Sequence, residues 1–164
     1  MGMEERIKIN YDLPNSIDIK EFHEAVIQLT EDKPVDLPVY DFSTHTRTSN
    51  IRRVEPAHLI IVEGIFSLSF PEINKLYDLK IYIELDQDLR LIRRVRRDLK
   101  HRGRDLESVF TQYLNQVRPA QDEFVTQDRE KADIILLGNK SHHKILETIR
   151  LVVEQKSKGA SNDT

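Results

Sequence analysis

The amino-acid sequence predicts an α/β domain around a largely parallel sheet, and three observations point there. Leu59–Val62, Leu79–Leu85 and Asp133–Leu137 are short runs rich in Ile, Leu and Val, the composition of strands buried on both faces. Helical apolar spacings lie between and after these runs, and that alternation is the pattern of strands joined by crossover helices. The length of 164 residues suits one domain, and 38% apolar with 32% charged residues suits neither a disordered chain nor a membrane-embedded one.

Each element has its own local warrant. The first nine residues read as a loose lead or a short strand. Asp18 followed by Glu21 has the form of a helix N-cap with its capping box. Ile19, Phe22, Val26 and Leu29 then recur at helical spacing, so a helix is expected over 19–31. Pro34 and Pro38 cannot continue it. A short strand over 39–42 follows, and Asn50–Val54 is expected to return as its hairpin partner. The runs at 59–62 and 79–85 are the first two buried strands. A helix is expected over 87–101, with Ile92, Val95 and Leu99 on one face. The strongest periodicity is Leu106, Val109, Phe110, Tyr113, Leu114 and Val117, which predicts a helix over 105–118 that Pro119 ends. After the strand at 133–137, Ile145, Ile149, Val152 and Val153 predict a closing helix over 142–155. Residues 1–155 are thus read as the domain, and 156–164, small and polar, as a flexible tail.

Several classes of function fall away on composition. With no cysteine there are no disulfides, thiolate metal sites or cysteine nucleophiles. No stretch approaches the ~20 apolar residues of a membrane span, and the opening MGMEERIKIN lacks the apolar core of a secretory signal, so a cytoplasmic location is expected. The net charge of −3 argues against a general polyanion binder. Only five glycines occur, at 2, 64, 103, 138 and 159. None completes G-x-x-x-x-G-K-[ST]; the nearest approach, Gly138-Asn139-Lys140-Ser141, lacks glycine at 134 and 139.

Three signals carry chemistry. The run Leu59–Val62 leads into Glu63-Gly64, and carboxylates at strand ends in open α/β sheets can hold Mg²⁺. A plain strand end with a solvated glutamate is the bland reading. Residues 90–104 hold eight of the 25 Lys and Arg residues. Arg93, Arg97 and Lys100 share one helix face, as do Arg90, Arg94 and Arg97, and arginine forks suit phosphate oxygens. The bland alternative is a solvated face balanced by Asp86, Asp88 and Asp98; a rival one is nucleic-acid binding through the helix at 90–104. Gly103, between Arg102 and Arg104, suggests the hinge of a lid over polyphosphate. Finally, Tyr40-Asp41-Phe42-Ser43-Thr44-His45-Thr46-Arg47 gathers the groups that stack on a base and hydrogen-bond a sugar. Read singly, each of those residues is an ordinary hairpin side chain. His142 and His143 point to different helix faces and read as capping or surface residues. His23, His58 and His101 read as structural or solvated.

Together these stretches resemble the uridine–cytidine kinases, within the wider uridine kinase and phosphoribulokinase group. The likeness rests on Asn10-Tyr-Asp12-Leu-Pro14, Tyr40-Asp-Phe-Ser-Thr-His45-Thr-Arg47, Ile60-Ile-Val-Glu63-Gly64, Arg90 to Asp98, Arg102-Gly-Arg-Asp-Leu-Glu107, Gln112-Tyr113 and Ala132-Asp-Ile-Ile135. It runs from about residue 10 to 152. The resemblance implies a P-loop-kinase-like parallel sheet flanked by helices, with a small nucleoside-binding β-hairpin. It implies ATP-dependent phosphorylation of the 5′-hydroxyl of uridine or cytidine, a step of pyrimidine salvage, with Mg²⁺. It implies that Asp12 binds the ribose hydroxyls, that Tyr40, Phe42 and His45 recognise the base, and that Arg94, Arg104 and Gln112 add nucleoside contacts. Arg97 and Arg102 become the lid arginines facing ATP phosphates, and Glu63 the acidic residue that helps hold Mg²⁺.

The family also carries a first strand, a phosphate loop and a hydroxyl-activating aspartate ahead of the Asn10 motif; none is found in these 164 residues. Leu13 stands where histidine is usual. The expectation is therefore a kinase-family domain with its first strand and phosphate loop missing, inactive by itself and a poor binder of ATP and Mg²⁺ alone. Its expected partners are a pyrimidine nucleoside and either a second copy of the chain or a complementing N-terminal segment, with no membrane and no nucleic acid. A nucleoside-binding regulatory module derived from such a kinase is the alternative.

Overall fold

The structure, a computed structural model, describes residues 10–41 and 46–160. Phe42 and His45 lie outside the described residues, as does the lead at 1–9. Near the start, the Asp12 amide donates to Asn10 Oδ1 (3.0 Å) and Ser16 Oγ donates to the Tyr11 carbonyl (3.0 Å), folding the chain into a tight turn. Helix α1 then spans Ile19–Thr30. Its cap is the expected one: the Asp18 carboxylate accepts from the Glu21 amide at 3.1 Å. Val26 and Leu29 form its buried stripe, against Val35 at the start of the next strand.

Strands β1 (Val35–Asp41) and β2 (Thr46–Val54) form an antiparallel hairpin, each strand beginning earlier in the chain than the sequence suggests. Pro38 lies inside β1, which is possible because a two-stranded ribbon consists of edges. The register shifts between Pro38 and Tyr40, and there Thr48 Oγ1 donates to the Val39 carbonyl (3.1 Å). Arg47 on β2 reaches Glu21 on α1 at 2.5 Å, tying hairpin to helix.

The expected strand at 59–62 is not formed; the segment bends at Leu59 and pairs with no described strand. A strand exists only through a ladder partner, and no described strand lies beside this one. Ile61 is accordingly 78% exposed. The chain then turns through 64–69 into a one-turn helix α2 (Pro71–Asn74), whose Ile73 is completely buried. The turn is held from a distance. Asp128, also buried, accepts from Ser69 Oγ (2.5 Å) and Lys131 Nζ (2.7 Å), while Lys131 Nζ and Asn74 Nδ2 donate to the Leu68 carbonyl.

Strands β3 (Ile81–Glu84) and β4 (Ile134–Leu137) pair in parallel, Ile81 opposite Ile134 and Glu84 opposite Leu137. Asp133 fixes this register: its carboxylate accepts from the Lys80 amide (2.8 Å) and its own amide donates to the Lys80 carbonyl (2.9 Å). Between them run α3 (Gln87–His101) and α4 (Leu106–Gln112). Asp105 caps α4 by accepting from the Ser108 amide at 2.8 Å.

Pro119 does not end the helical path. After α4 the chain passes through a π-helical turn (Tyr113–Val117), an α turn (Arg118–Ala120), a second π turn (Gln121–Val125) and a 3-10 stretch (Thr126–Lys131). The Arg118 amide reaches back five residues to the Tyr113 carbonyl. Wide turns of this kind place the proline ring clear of the carbonyl an α-turn would press against it. Val109, Tyr113, Ala120 and Val125 form the buried side of the path, whereas Leu106 and Leu114, expected on that face, are exposed. The last helix, α5, spans His143–Ala160 and so passes the expected limit at 155.

The molecule is thus α/β: a parallel pair flanked by helices, with a separate antiparallel hairpin. No helix among the described residues is long and apolar enough to cross a membrane.

Candidate functional site

Helix α3 presents arginine to two regions. Arg93 Nη2 donates to the Gly138 carbonyl just past the end of β4 (3.3 Å), so it fastens the helix to the sheet. The other cluster gathers around Asp98, which is completely buried. Four guanidiniums surround this carboxylate. Arg97 Nε lies 2.9 Å and Arg102 Nη1 3.3 Å from Oδ1; Arg94 Nε lies 3.6 Å and Arg104 Nη1 4.0 Å from Oδ2. The helical spacing explains half of this: 94, 98 and 102 stack one turn apart on a single face.

The rest comes from the chain reversal after α3. Gly103 has φ 62°, the left-handed region that a side chain disfavours. With that turn, the Arg102 and Arg104 amides both donate to the Asp98 carbonyl (3.2 and 3.3 Å). Asp98 therefore holds the end of the helix through its backbone and the arginines through its side chain.

The arginines fall into two pairs. Arg94 and Arg104 side chains are 17% and 27% exposed; Arg97 and Arg102 are 48% exposed each. Gln112 Oε1 accepts from the buried pair, from Arg94 Nη2 at 2.9 Å and from Arg104 Nη1. Arg104 Nη2 also donates to Ser108 Oγ (2.7 Å) and its carbonyl (3.2 Å). Burial lowers the Arg94 pKa from its ordinary value, and the charges of Asp12 and Asp98 oppose that shift. Asp12 is thereby placed within electrostatic reach of the cluster. A cavity of about 370 Å³ opens beside it, lined by Arg104, Glu107, Ser108, Thr111, Gln112 and Asn115, among others. Small-molecule sites typically measure ~300–1,000 Å³.

The structure thus brings together Arg94, Arg97, Arg102, Arg104 and Gln112, with Asp12 nearby in charge. Tyr40 is placed on β1 opposite Arg47 and is exposed. Glu63 is exposed at the end of the unpaired segment 59–62, and among the described residues no three His, Asp or Glu side chains form a metal-binding group. A single carboxylate still fits Mg²⁺, which is commonly held by one or two carboxylates together with substrate phosphates. Sequence reasoning passed over Asp98 and Ser108. The available signal was the Arg94, Asp98, Arg102 spacing of four, which also describes an ordinary solvated ion-pair ladder.

The sequence model of the phosphoribulokinase / uridine kinase family matches residues 3–142. A uridine kinase of Lactobacillus helveticus (strain DPC 4571) is 46% identical over 134 residues, covering 82% of this chain and 64% of that protein. One from Anoxybacillus flavithermus (strain DSM 21510 / WK1) is 42% identical over 161 residues, covering 96% of this chain and 76% of its own length. One from Bacillus anthracis is 42% identical over 160 residues, with 95% and 76% covered. This chain therefore spans about two thirds to three quarters of the length of these curated relatives. With most of its length matched by the family model, and close relatives at this level of identity, the chain belongs to the phosphoribulokinase / uridine kinase family.

Proposed function

We propose that this chain carries the nucleoside-recognition and lid portion of an ATP-dependent pyrimidine nucleoside kinase acting on the 5′-hydroxyl of uridine or cytidine. The observation that carries this reading is the convergence of Arg94 and Arg104 on Gln112 beside a polar cavity, with Asp12 in electrostatic reach. A carboxylate suits ribose hydroxyls, and an amide held by two guanidiniums is oriented to read a base edge. Tyr40, Phe42 and His45 would close over the base from the hairpin. Arg97 and Arg102, the more exposed pair, would face the triphosphate, where fixed positive charge stabilises phosphoryl transfer. Glu63 would hold Mg²⁺, which supplies charge neutralisation at the phosphates when bound.

The 164 residues contain no phosphate loop, and that loop does much of the positioning in such transfers. A second reading is a pyrimidine-nucleoside-binding module, which the same grouping of Arg94, Arg104 and Gln112 supports.

Transfer of labelled γ-phosphate from ATP to uridine tests the reading. The purified 164-residue chain should transfer none above background. Fusion to a family strand and phosphate loop should restore transfer, and Arg102→Ala in the fusion should cut turnover by roughly 10³-fold or more with uridine affinity little changed. Transfer by the chain alone, abolished by Glu63→Gln, would overturn it.

A further inference from the structure

Four guanidiniums around one buried carboxylate are more than an ion pair needs. The arrangement is asymmetric, and the asymmetry has chemical content. On Oδ1, Arg97 and Arg102 are engaged at 2.9 and 3.3 Å. On Oδ2, Arg94 and Arg104 stand off at 3.6 and 4.0 Å; Arg94 donates to Gln112 instead, and Arg104 to Gln112 and, through Nη2, to Ser108. Oδ2 of Asp98 and Nε of Arg94 are both buried and neither has a hydrogen-bond partner. A buried acceptor and a buried charged donor left unpaired are each costly, and here they face each other across a gap that a small side-chain movement closes.

We propose that Asp98 is a positioning residue that couples the two ends of the site. Resting on the nucleoside reading above, the coupling works by exchange. A nucleoside that engages Gln112 draws its Oε1 away from Arg94 and Arg104. Those two guanidiniums then close onto the vacant Oδ2. The carboxylate's charge is now shared with the inner pair, its hold on Arg97 and Arg102 through Oδ1 weakens, and the outer pair is released toward an anion. Both outer arginines are half exposed, so they can turn without opening the core. The Asp98 backbone stays in place, since its carbonyl accepts from the Arg102 and Arg104 amides. The device would make the phosphate-facing arginines available only once a nucleoside is seated. No bond is made or broken in it.

The test follows arginine Nε–Hε signals by NMR in the 164-residue chain, together with binding of inorganic tripolyphosphate. Uridine should shift the Arg97 and Arg102 signals and tighten tripolyphosphate binding by ~5-fold or more, the lower range of typical coupling between sites. Asp98→Asn should abolish both responses while uridine still binds. A cross-response that persists in Asp98→Asn, or uridine binding that leaves Arg97 and Arg102 unmoved in the wild-type chain, would overturn the proposal. If uridine shifts nothing anywhere, the nucleoside reading fails. The coupling is then decided without ligand by Arg94→Lys, which also decides it if Asp98→Asn does not fold. Removing the inner fork must move the Arg97 signal if the carboxylate links the pairs, and an unmoved signal refutes the link.

Discussion

Guanidiniums repel one another, so a helix end that keeps four of them within reach of one point needs a carboxylate at that point and a backbone that turns them toward it. Asp98 and Gly103 supply these. A Cβ at Gly103 would meet no atom within 4 Å, so the requirement there is conformational alone. Gly103→Ala should therefore cost about 1 kcal/mol, the penalty for a left-handed alanine, and lower the melting temperature by roughly 2–4 °C. Calorimetric melting checks this, and an unchanged Tm would mean the turn is made differently. The individual site residues were partly legible. Arg94, Arg104 and Gln112 were named by the family resemblance, and the structure draws them together. Asp98 was set down as one of three local carboxylates, because spacing along a helix reports which residues share a face and not whether that face is buried. Burial depends on how the reversal at Gly103 folds Arg102 and Arg104 back over it, which helical periodicity does not report.

The elements follow their local codes where those codes are complete. Asp18 caps its helix as its spacing implies, and Asp105, expected as the first residue of the next long helix, caps it instead; each accepts from an amide three residues on. Asp105→Ala should cost about 1 kcal/mol of stability in urea unfolding. It should also loosen Arg104, whose partner Ser108 is the residue capped. The parallel pair depends on Asp133, whose pKa is lowered first by the Lys80 amide hydrogen bond. A carboxylate with a depressed folded-state pKa adds stability above its unfolded value and loses it as pH falls through the folded one. Asp133→Asn should therefore be less stable than wild type at neutral pH, and the gap should close on acidification below the ordinary aspartate range. A pH-independent gap would assign the effect to shape instead. Where the code depends on a partner, sequence misleads. Leu59–Val62 has strand composition but forms no strand, since composition cannot supply the neighbouring ladder. Pro119 carries the usual stop signal, but a five-residue back-reach at Arg118 accommodates it.

Taken as one body, the molecule shows a tension between its core and its sheet. Ile73, Val109 and Asp98 are sealed, while Ile61 and Ile83 are 78% and 68% exposed and Ile135 and Leu137 are also open. Parallel strands are ordinarily covered on both faces, so this sheet has apolar surface that its described residues do not cover. The arginine cluster and its cavity, by contrast, are assembled from one continuous stretch: α3, the reversal after it, α4 and the π turn that follows. That division is why nucleoside recognition should survive in a chain without a phosphate loop, although more weakly than in a complete kinase, where a supported sheet would hold the hairpin in place beforehand. The most direct test is a calorimetric titration of the 164-residue chain with uridine and with adenosine, repeated on Gln112→Ala. The account predicts that uridine binds better than adenosine. It also predicts that Gln112→Ala weakens uridine at least ~10-fold, as loss of a charge-supported hydrogen bond worth about 1.5–3 kcal/mol requires. Equal binding of the two nucleosides, or uridine affinity untouched by Gln112→Ala, would contradict it.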